Sequence, residues 1–304
     1  MSAPLPRFVV FGEALTDFIR ESDGRWRACP GGACWNVARV AARLGLPSAW
    51  GGAVSQDLFG NELREKAIEA GLDDRFIQQV DRPPLLAIVP STTPPEYFFI
   101  GNDSADLYFD PSRLPEGWLA AAEVLHFGCI SLARDPLARH LIALAREAAA
   151  VGKKIAFDPN LRKLMATPTY FPNFQAVAQI AHYIKVSDED LAQLFPALNT
   201  EEALSELRRI APQAQILLTQ GSQGMTLLTP EGERLTQPAF QVAVADTVGC
   251  GDAAMGAWMA SLLNAPEASA ADHIRYAAAA AAKVASHPGA YAPVPEEVSA
   301  LLQS

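Results

Sequence analysis

Short apolar runs recur along the chain at Phe8–Phe11, Ser48–Val54, Val124–Gly128, Lys154–Phe157, Tyr183–Val186 and Gln215–Thr219. Between them lie stretches with helical patterning. These are residues 31–45, a segment capped by Ser55-Gln56-Asp57 that ends before Gly71, and then Pro136–Val151, Asn173–Ala181, Asp188–Leu194 and Glu201–Ile210. Alternation of this kind predicts βαβ units, and hence an α/β fold: a doubly wound, mostly parallel sheet with helices on both faces. Ligands on such sheets gather at the carboxyl ends of the strands, where Asp158, Ser187 and Gly221 fall.

Two pieces break the alternation. Glu21–Cys29 is polar and strand-like, and Leu85–Phe109 has no helical period and is interrupted by Pro90, Pro94 and Pro95. Strands that cannot cover the main core are expected to form a separate small sheet. We therefore read residues 1–304 as one α/β domain with extra strands inserted at about 13–32 and 85–110.

Composition narrows the function classes. A chain of 304 residues with 50% hydrophobic and 19% charged residues can bury a large core and is not disordered. No apolar run reaches the roughly 18 residues a membrane span needs. A net charge of −10 without a basic stretch argues against nucleic acid. Met1–Arg7 is too short and proline-rich to read as a signal peptide. Cys29, Cys34, Cys129 and Cys250 lack the spacing of a zinc site or disulfide framework, so buried free thiols in a reducing, cytoplasmic setting are expected. None of the five histidines has metal-ligand spacing, and His126, inside an apolar run, reads as a core or strand-end residue. No G-x-G-x-x-G follows the first strand, which counts against a nicotinamide dehydrogenase.

The chemistry concentrates near the C-terminus, in Asp246-Thr247-Val248-Gly249-Cys250-Gly251-Asp252, followed by the almost purely apolar helix Ala253–Leu263. A glycine-rich turn opening a helix leaves backbone N–H groups unpaired, and with the helix dipole they form an anion site suited to a phosphoryl group. Asp252 at its mouth is a poor phosphate ligand but a good acceptor of a hydroxyl proton. The same spacing also fits an N-capping Asp with glycines that only turn the chain.

That segment resembles the D-T-x-G-A-G-D signature of the ribokinase-like (PfkB) carbohydrate kinases, with Cys250 where Ala is usual. Residues 31–45, GGACWNVARVAARLG, resemble the N-terminal signature G-G-x-x-x-N-x-A-x-x-x-A-R-L-G of the same family. Read physically, this is a helix with Val37, Val40, Ala41 and Leu44 on one face, closed by Gly45 and Pro47. The resemblance covers essentially the whole chain. It implies a ribokinase-like fold in which the small sheet is a lid over the sugar. It further implies that Asp252 is the general base, and that the amides of Gly249, Cys250 and Gly251 form the anion hole. Asp17, Gly31, Gly32 and Asn36 would contact sugar hydroxyls.

Other segments carry further expectations from the same resemblance. Asp158-Pro159-Asn160-Leu161-Arg162 looks like the D-x-N-x-R stretch of fructokinases and 2-keto-3-deoxygluconate kinases, with Arg162 on the transferring phosphoryl group or a substrate carboxylate. Lys185-Val186-Ser187-Asp188-Glu189-Asp190 is similar to the N-x-x-E stretch, which would put Ser187 near the nucleotide and Asp190 near magnesium through water. An N-cap Ser187 followed by first-turn acids fits equally well. Thr219-Gln220-Gly221-Ser222-Gln223-Gly224 resembles the T-x-G-x-x-G turn that meets the nucleotide, through Thr219, Gly221 and Gly224. In His287-Pro288-Gly289-Ala290, Gly289 would flank adenine, and Asp246 would help hold a monovalent cation such as K+.

The implied activity is transfer from MgATP to a sugar. Gly12-Glu13, Asp158–Arg162 and Lys185–Ser187 together look most like fructokinases, which puts fructose first and 2-keto-3-deoxygluconate second. A non-catalytic sugar or nucleotide sensor on the same fold would have lost the base or the glycines, and both are present. Leu85, Leu86, Ile88, Tyr97, Phe98 and Phe99 crowd apolar surface onto a thin sheet, which predicts a homodimer through the lid.

Overall fold

The computed structural model describes residues 4–92, 95–162, 165 and 167–303. Met1–Ala3 of the signal-peptide reading and Pro94 of the lid reading lie outside the described residues. In chain order the strands are β1 (Phe8–Phe11), β2 (Leu15–Arg20), β3 (Trp26–Gly31), β4 (Ser48–Ser55), β5 (Ile77–Val80), β6 (Leu86–Thr92), β7 (Pro95–Ile100), β8 (Val124–Gly128), β9 (Lys154–Asp158), β10 (Tyr183–Ser187), β11 (Gln215–Thr219), β12 (Met225–Leu228) and β13 (Arg234–Gln237). The helices are α1 (Ala33–Arg43), α2 (Leu58–Glu69), α3 (Trp118–Ala121), α4 (Leu137–Ala150), α5 (Tyr170–Ala178), α6 (Asp188–Leu194), α7 (Thr200–Ile210), α8 (Cys250–Asn264), α9 (Ala270–Ala285) and α10 (Pro295–Leu302).

The main sheet has nine strands in the order β13-β12-β11-β10-β9-β8-β1-β4-β5. Pairing is parallel from β5 to β11, and β11, β12 and β13 close one edge as an antiparallel meander. From β1 the chain first builds toward β4 and β5, then returns to lay β8 on the other side of β1 and continues to β11. That reversal between β1 and β8 leaves a crevice at the carboxyl ends of the strands. All four residues of β1 and all five of β8 are buried, as strands covered on both faces must be. Phe11 packs on Phe109, Trp118 and Phe127.

α8 is apolar on nearly all sides and runs through the interior, with every residue from Asp252 to Ala260 buried. Gly256 sets how closely it meets α1. A Cβ there would lie 2.7 Å from the Val37 carbonyl oxygen and 2.9 Å from Val40 Cβ. Only glycine lets the two backbones touch, and the contact falls one turn beyond Asp252 and beside Asn36. Among the described residues, no helix is long and apolar enough to cross a membrane.

β3, β2, β6 and β7 form the separate four-stranded sheet. Leu85, Ala87 and Val89 alternate inward and are buried, and Phe18 stacks edge-on against Phe59 of α2. The outer face leaves Trp26, Phe98 and Ile100 about half exposed, at 48%, 49% and 52%. The expected boundary at residue 110 is too long, because the sheet ends at Ile100. Residues 101–110 turn back into the main body, where Ala105 and Phe109 are buried and Arg134 binds the Gly101 carbonyl (2.6 Å) and Asp106 (3.0 Å). The helix expected at Asn173–Ala181 lies instead at Tyr170–Ala178. Pro172 falls in its first turn, where a missing N–H costs nothing. The four cysteines are free, as expected, but only Cys34 and Cys129 are buried, while Cys29 and Cys250 are half-buried.

Candidate active site

The carboxyl ends of β1, β8, β9 and β10 bring the chemistry of the chain together beneath the lid. Asp252, the third residue of α8, is 7% exposed. Asn36 Nδ2 donates to its Oδ2 at 2.9 Å, and Asn160 Nδ2 lies 3.4 Å from its Oδ1. Burial raises the Asp252 carboxyl above the ordinary carboxylate range, while the Asn36 hydrogen bond and the charges of Lys185 and Arg162 pull it back. Asn36 therefore meets the carboxylate through one amide atom. Its Oδ1 has no partner within the protein and is buried.

The turn before α8 is built for close approach. Gly249 sits at φ 80, in the left-handed region, and a Cβ on it would lie 2.9 Å from Ala290 Cα. The N–H of Cys250, expected to serve the anion hole, is donated locally to Thr247 O at 3.3 Å. The N–H groups of Gly251 and Asp252, in the first turn, have no intrahelical acceptor. The Cys250 thiol is pushed up to about 11 by burial and by Asp252 and Asp246, so it is neutral.

Gly31 and Gly32 open space for other parts of the protein. A Cβ on Gly31 would lie 2.6 Å from Asp17 Oδ2, and one on Gly32 would lie 2.8 Å from Glu13 O. Gly32, at φ 112, starts α1. Asp17 lies in β2, and burial lifts its carboxyl to about 7, with Arg162 lowering and Asp252 raising it. Arg162 is half-buried, and its Nη1 donates to Leu161 O at 3.0 Å. Burial opposes its charge and Asp252 favours it, leaving the guanidinium protonated without an ion pair among the described residues.

The loop after β9 is fixed from below. Asp158 Oδ1 accepts the Asn160 N–H at 3.1 Å, and Asn160 sits at a strained φ of 39. Asp190 is buried, with Oδ1 accepting the Leu161 N–H at 2.7 Å and Oδ2 the Ser187 N–H at 2.9 Å. Ser187 Oγ in turn accepts the Asp190 N–H at 3.0 Å, so the capping reading of this motif describes what the side chains do. No cluster of three or more metal-ligating side chains occurs among the described residues.

Further out, Asp246 clamps two turns, accepting from Val248 N at 3.1 Å and Gly289 N at 2.9 Å. Gly289 has φ 70. Thr219 ends β11, and its Oγ1 lies 3.4 Å from Val186 O. Gly221 (φ 52) faces open space, whereas a Cβ on Gly224 would lie 2.1 Å from Gln237 O. Gly224 thus has a structural reason of its own, the close approach of the β12–β13 hairpin. Ser187 and Thr219 pair at the ends of β10 and β11, and Gly221 is exposed just beyond them, while Gly224 is buried.

Two buried side chains had no assigned role in the sequence reading. Glu13, 1% exposed, accepts the Ala33 N–H at 3.1 Å and bonds the Ser131 hydroxyl, tying the end of β1 to the start of α1. Lys185 Nζ donates to Asp158 Oδ2 at 2.9 Å and Oδ1 at 3.2 Å. Burial lifts the Asp158 carboxyl and Lys185 pulls it down; with both oxygens on one ammonium we take the pair as ionised. Burial also opposes the Lys185 charge, but Asp158, Asp190 and Asp252 hold its pKa above the usual value. The available signal was a lone lysine inside an apolar strand, one strand from an Asp.

A buried carboxylate at the N-terminal end of α8, beside a separate small sheet, is the arrangement of a phosphotransferase on an α/β fold. Residues 6–297 match the pfkB family of carbohydrate kinases, and the chain belongs to that family. It is 32% identical over 305 residues to aminoimidazole riboside kinase of Salmonella typhimurium, covering 97% of this chain and 94% of that one. It is likewise 32% identical over 319 residues to probable fructokinase-3 of Arabidopsis thaliana, covering 96% and 90%. Among solved structures, fructokinase with bound ATP from Xylella fastidiosa superposes with a TM-score of 0.89 at 26% identity, covering 98% and 99%. A fructokinase double mutant from Vibrio cholerae O395, bound to fructose, ADP and potassium ion, gives 0.86 at 26%, covering 99% and 100%.

Proposed function

We propose that the protein transfers the γ-phosphoryl group of MgATP to a primary hydroxyl of a sugar, with fructose the preferred acceptor. The observation that carries this reading is Asp252, a buried carboxylate at the free N–H end of α8, aligned by Asn36. Bound MgATP supplies the phosphoryl group and, through its magnesium, neutralises charge on the phosphates. The N–H groups of Gly251 and Asp252 receive phosphoryl oxygens. Asp17 and Asn36 Oδ1 accept sugar hydroxyls and orient the acceptor. Asp252 takes the hydroxyl proton as that oxygen bonds to phosphorus and ADP leaves. Arg162 balances charge on the phosphoryl group in transit. The lid excludes water, which would otherwise hydrolyse ATP. Gly221, Thr219 and Ser187 border the nucleotide. Asp246 and Gly289 frame a potassium-type site, since each Asp246 oxygen keeps a lone pair beyond its one N–H bond.

Fructose is favoured by the Asp158–Arg162 and Lys185–Ser187 segments and by the similarity to fructokinases. A second acceptor, aminoimidazole riboside, is favoured by the equal identity to the kinase of that name. A non-catalytic sensor is disfavoured by the retained base and glycines. ADP release measured with fructose, aminoimidazole riboside, 2-keto-3-deoxygluconate and ribose decides among them. Fructose should give the highest kcat/KM, and a higher value for any other acceptor overturns that choice.

A further inference from the structure

Lys185 is 3% exposed in a strand whose interior is otherwise apolar. A buried ion pair is seldom better for stability than apolar residues of the same volume, so the pair with Asp158 does not by itself explain a lysine here. Its position adds to the puzzle. A Cβ on Gly251 would lie 2.9 Å from Lys185 Nζ, so the ammonium rests against the turn that opens α8. A cation at a helix N-terminus opposes the helix dipole and weakens the fold. The arrangement becomes favourable once an anion is bound at the same helix end.

We propose that Lys185 is a positioning residue for phosphoryl transfer: its ammonium, fixed by Asp158 against Gly251, supplies positive charge beneath the α8 anion site, one residue before Asp252. This rests on the kinase reading above. Asn36 from α1 and Asn160 from the loop after β9 contact Asp252, and the ionisable groups whose charge bears on it are Arg162 from that loop, Asp17 from β2, Asp158 from β9, Lys185 from β10, Cys250 from its own helix, and the thiols of Cys34 and Cys129. Lys185 itself faces Asp158, Asp190 and Asp252, and His126, whose ring burial keeps neutral with a pKa of about 3. Lys185 and Arg162 are therefore the cations acting on the base.

The sign follows directly. A nearby cation lowers the pKa of Asp252, so losing it raises that pKa and narrows the active range from the acid side. Lys185→Met should move the acid limb of the kcat profile up by about one pH unit, a tenfold change in the ionised fraction below it. Plateau kcat should fall at least about tenfold, as for a removed charge-stabilising group. Calorimetric affinity for ATP should fall about threefold or more, the scale of a charge at a helix terminus. Because Lys185→Met strands the Asp158 carboxylate, the double variant D158N/K185M is measured beside it, with thermal melts of both. The double variant should regain stability and stay slow. If it regains wild-type turnover, or if Lys185→Met leaves the acid limb and ATP affinity unchanged, Lys185 only neutralises Asp158 and the proposal falls. The ATP titration needs no acceptor. A wild type that phosphorylates no sugar would refute the kinase reading, while the titration would still decide the role of Lys185.

Discussion

Asn36→Ala separates two roles that one residue can hold. Asn36 was expected to contact the sugar, yet its Nδ2 donates to Asp252 Oδ2 at 2.9 Å. Of the effects that pull the Asp252 carboxyl down against burial, this hydrogen bond is the largest. A hydrogen bond to a charged group contributes about 1.5–3 kcal/mol, and about 1.4 kcal/mol shifts a pKa by one unit. Removing it should therefore raise the Asp252 pKa and lower kcat on the acid limb by about ten- to hundredfold. The base works only when ionised, so the loss appears on the acid side and shrinks as pH rises. The assay is kcat and kcat/KM for fructose against pH, in the wild type and the variant. Asn36 Oδ1, buried and unpartnered, is free for a sugar hydroxyl, so KM should rise as well. A raised KM with an unmoved acid limb would mean that Asn36 serves the sugar alone, and the alignment of Asp252 by Asn36 would be refuted.

The remaining predictions concern packing and the lid. Gly256→Ala should cost about 1–3 kcal/mol in urea unfolding, because the new methyl meets Val37 O and Val40; a loss below about 0.5 kcal/mol, within the ordinary surface range, would mean that α1 and α8 adjust freely. Hydrogen exchange in residues 86–100 should slow with saturating fructose and a non-hydrolysable ATP analogue, and unchanged exchange there would remove the lid role. The exposed Trp26, Phe98 and Ile100 lead us to expect a homodimer through the lid; light scattering showing a monomer at micromolar concentration would rule it out.

Much of this was legible in the sequence because strands β1, β8, β9, β10 and β11 are short, apolar and bounded by turn residues. The Asp246–Asp252 and 31–45 segments each carry their turn glycines and polar residues locally. What was less legible depends on contacts between distant residues. The lid boundary at Ile100 was missed because Phe109, apolar in a proline-broken stretch, gives no sign that it packs on Phe11. Gly31 and Gly32 were expected to contact sugar hydroxyls, whereas the atoms a side chain there would meet first belong to Asp17 and Glu13. Lys185 had no assigned role because its partner, Asp158, lies on the neighbouring strand and 27 residues away. Ser187-x-x-Asp190 only resembles the N-x-x-E magnesium stretch, with an Asp one methylene shorter than Glu, and the visible bonds of Asp190 are to the Leu161 and Ser187 N–H groups.

The central claim is that Asp252 accepts the sugar proton as the phosphoryl group moves. Its direct test is single-turnover transfer of γ-labelled phosphate from ATP to fructose in the wild type and in Asp252→Asn, with ATP and fructose affinities measured separately. The carboxamide keeps the size of the side chain but cannot take the proton. Labelled sugar phosphate should form at least about 10²-fold more slowly in the variant, the scale of a lost general base, with both affinities nearly unchanged. Transfer at a near wild-type rate would contradict the claim.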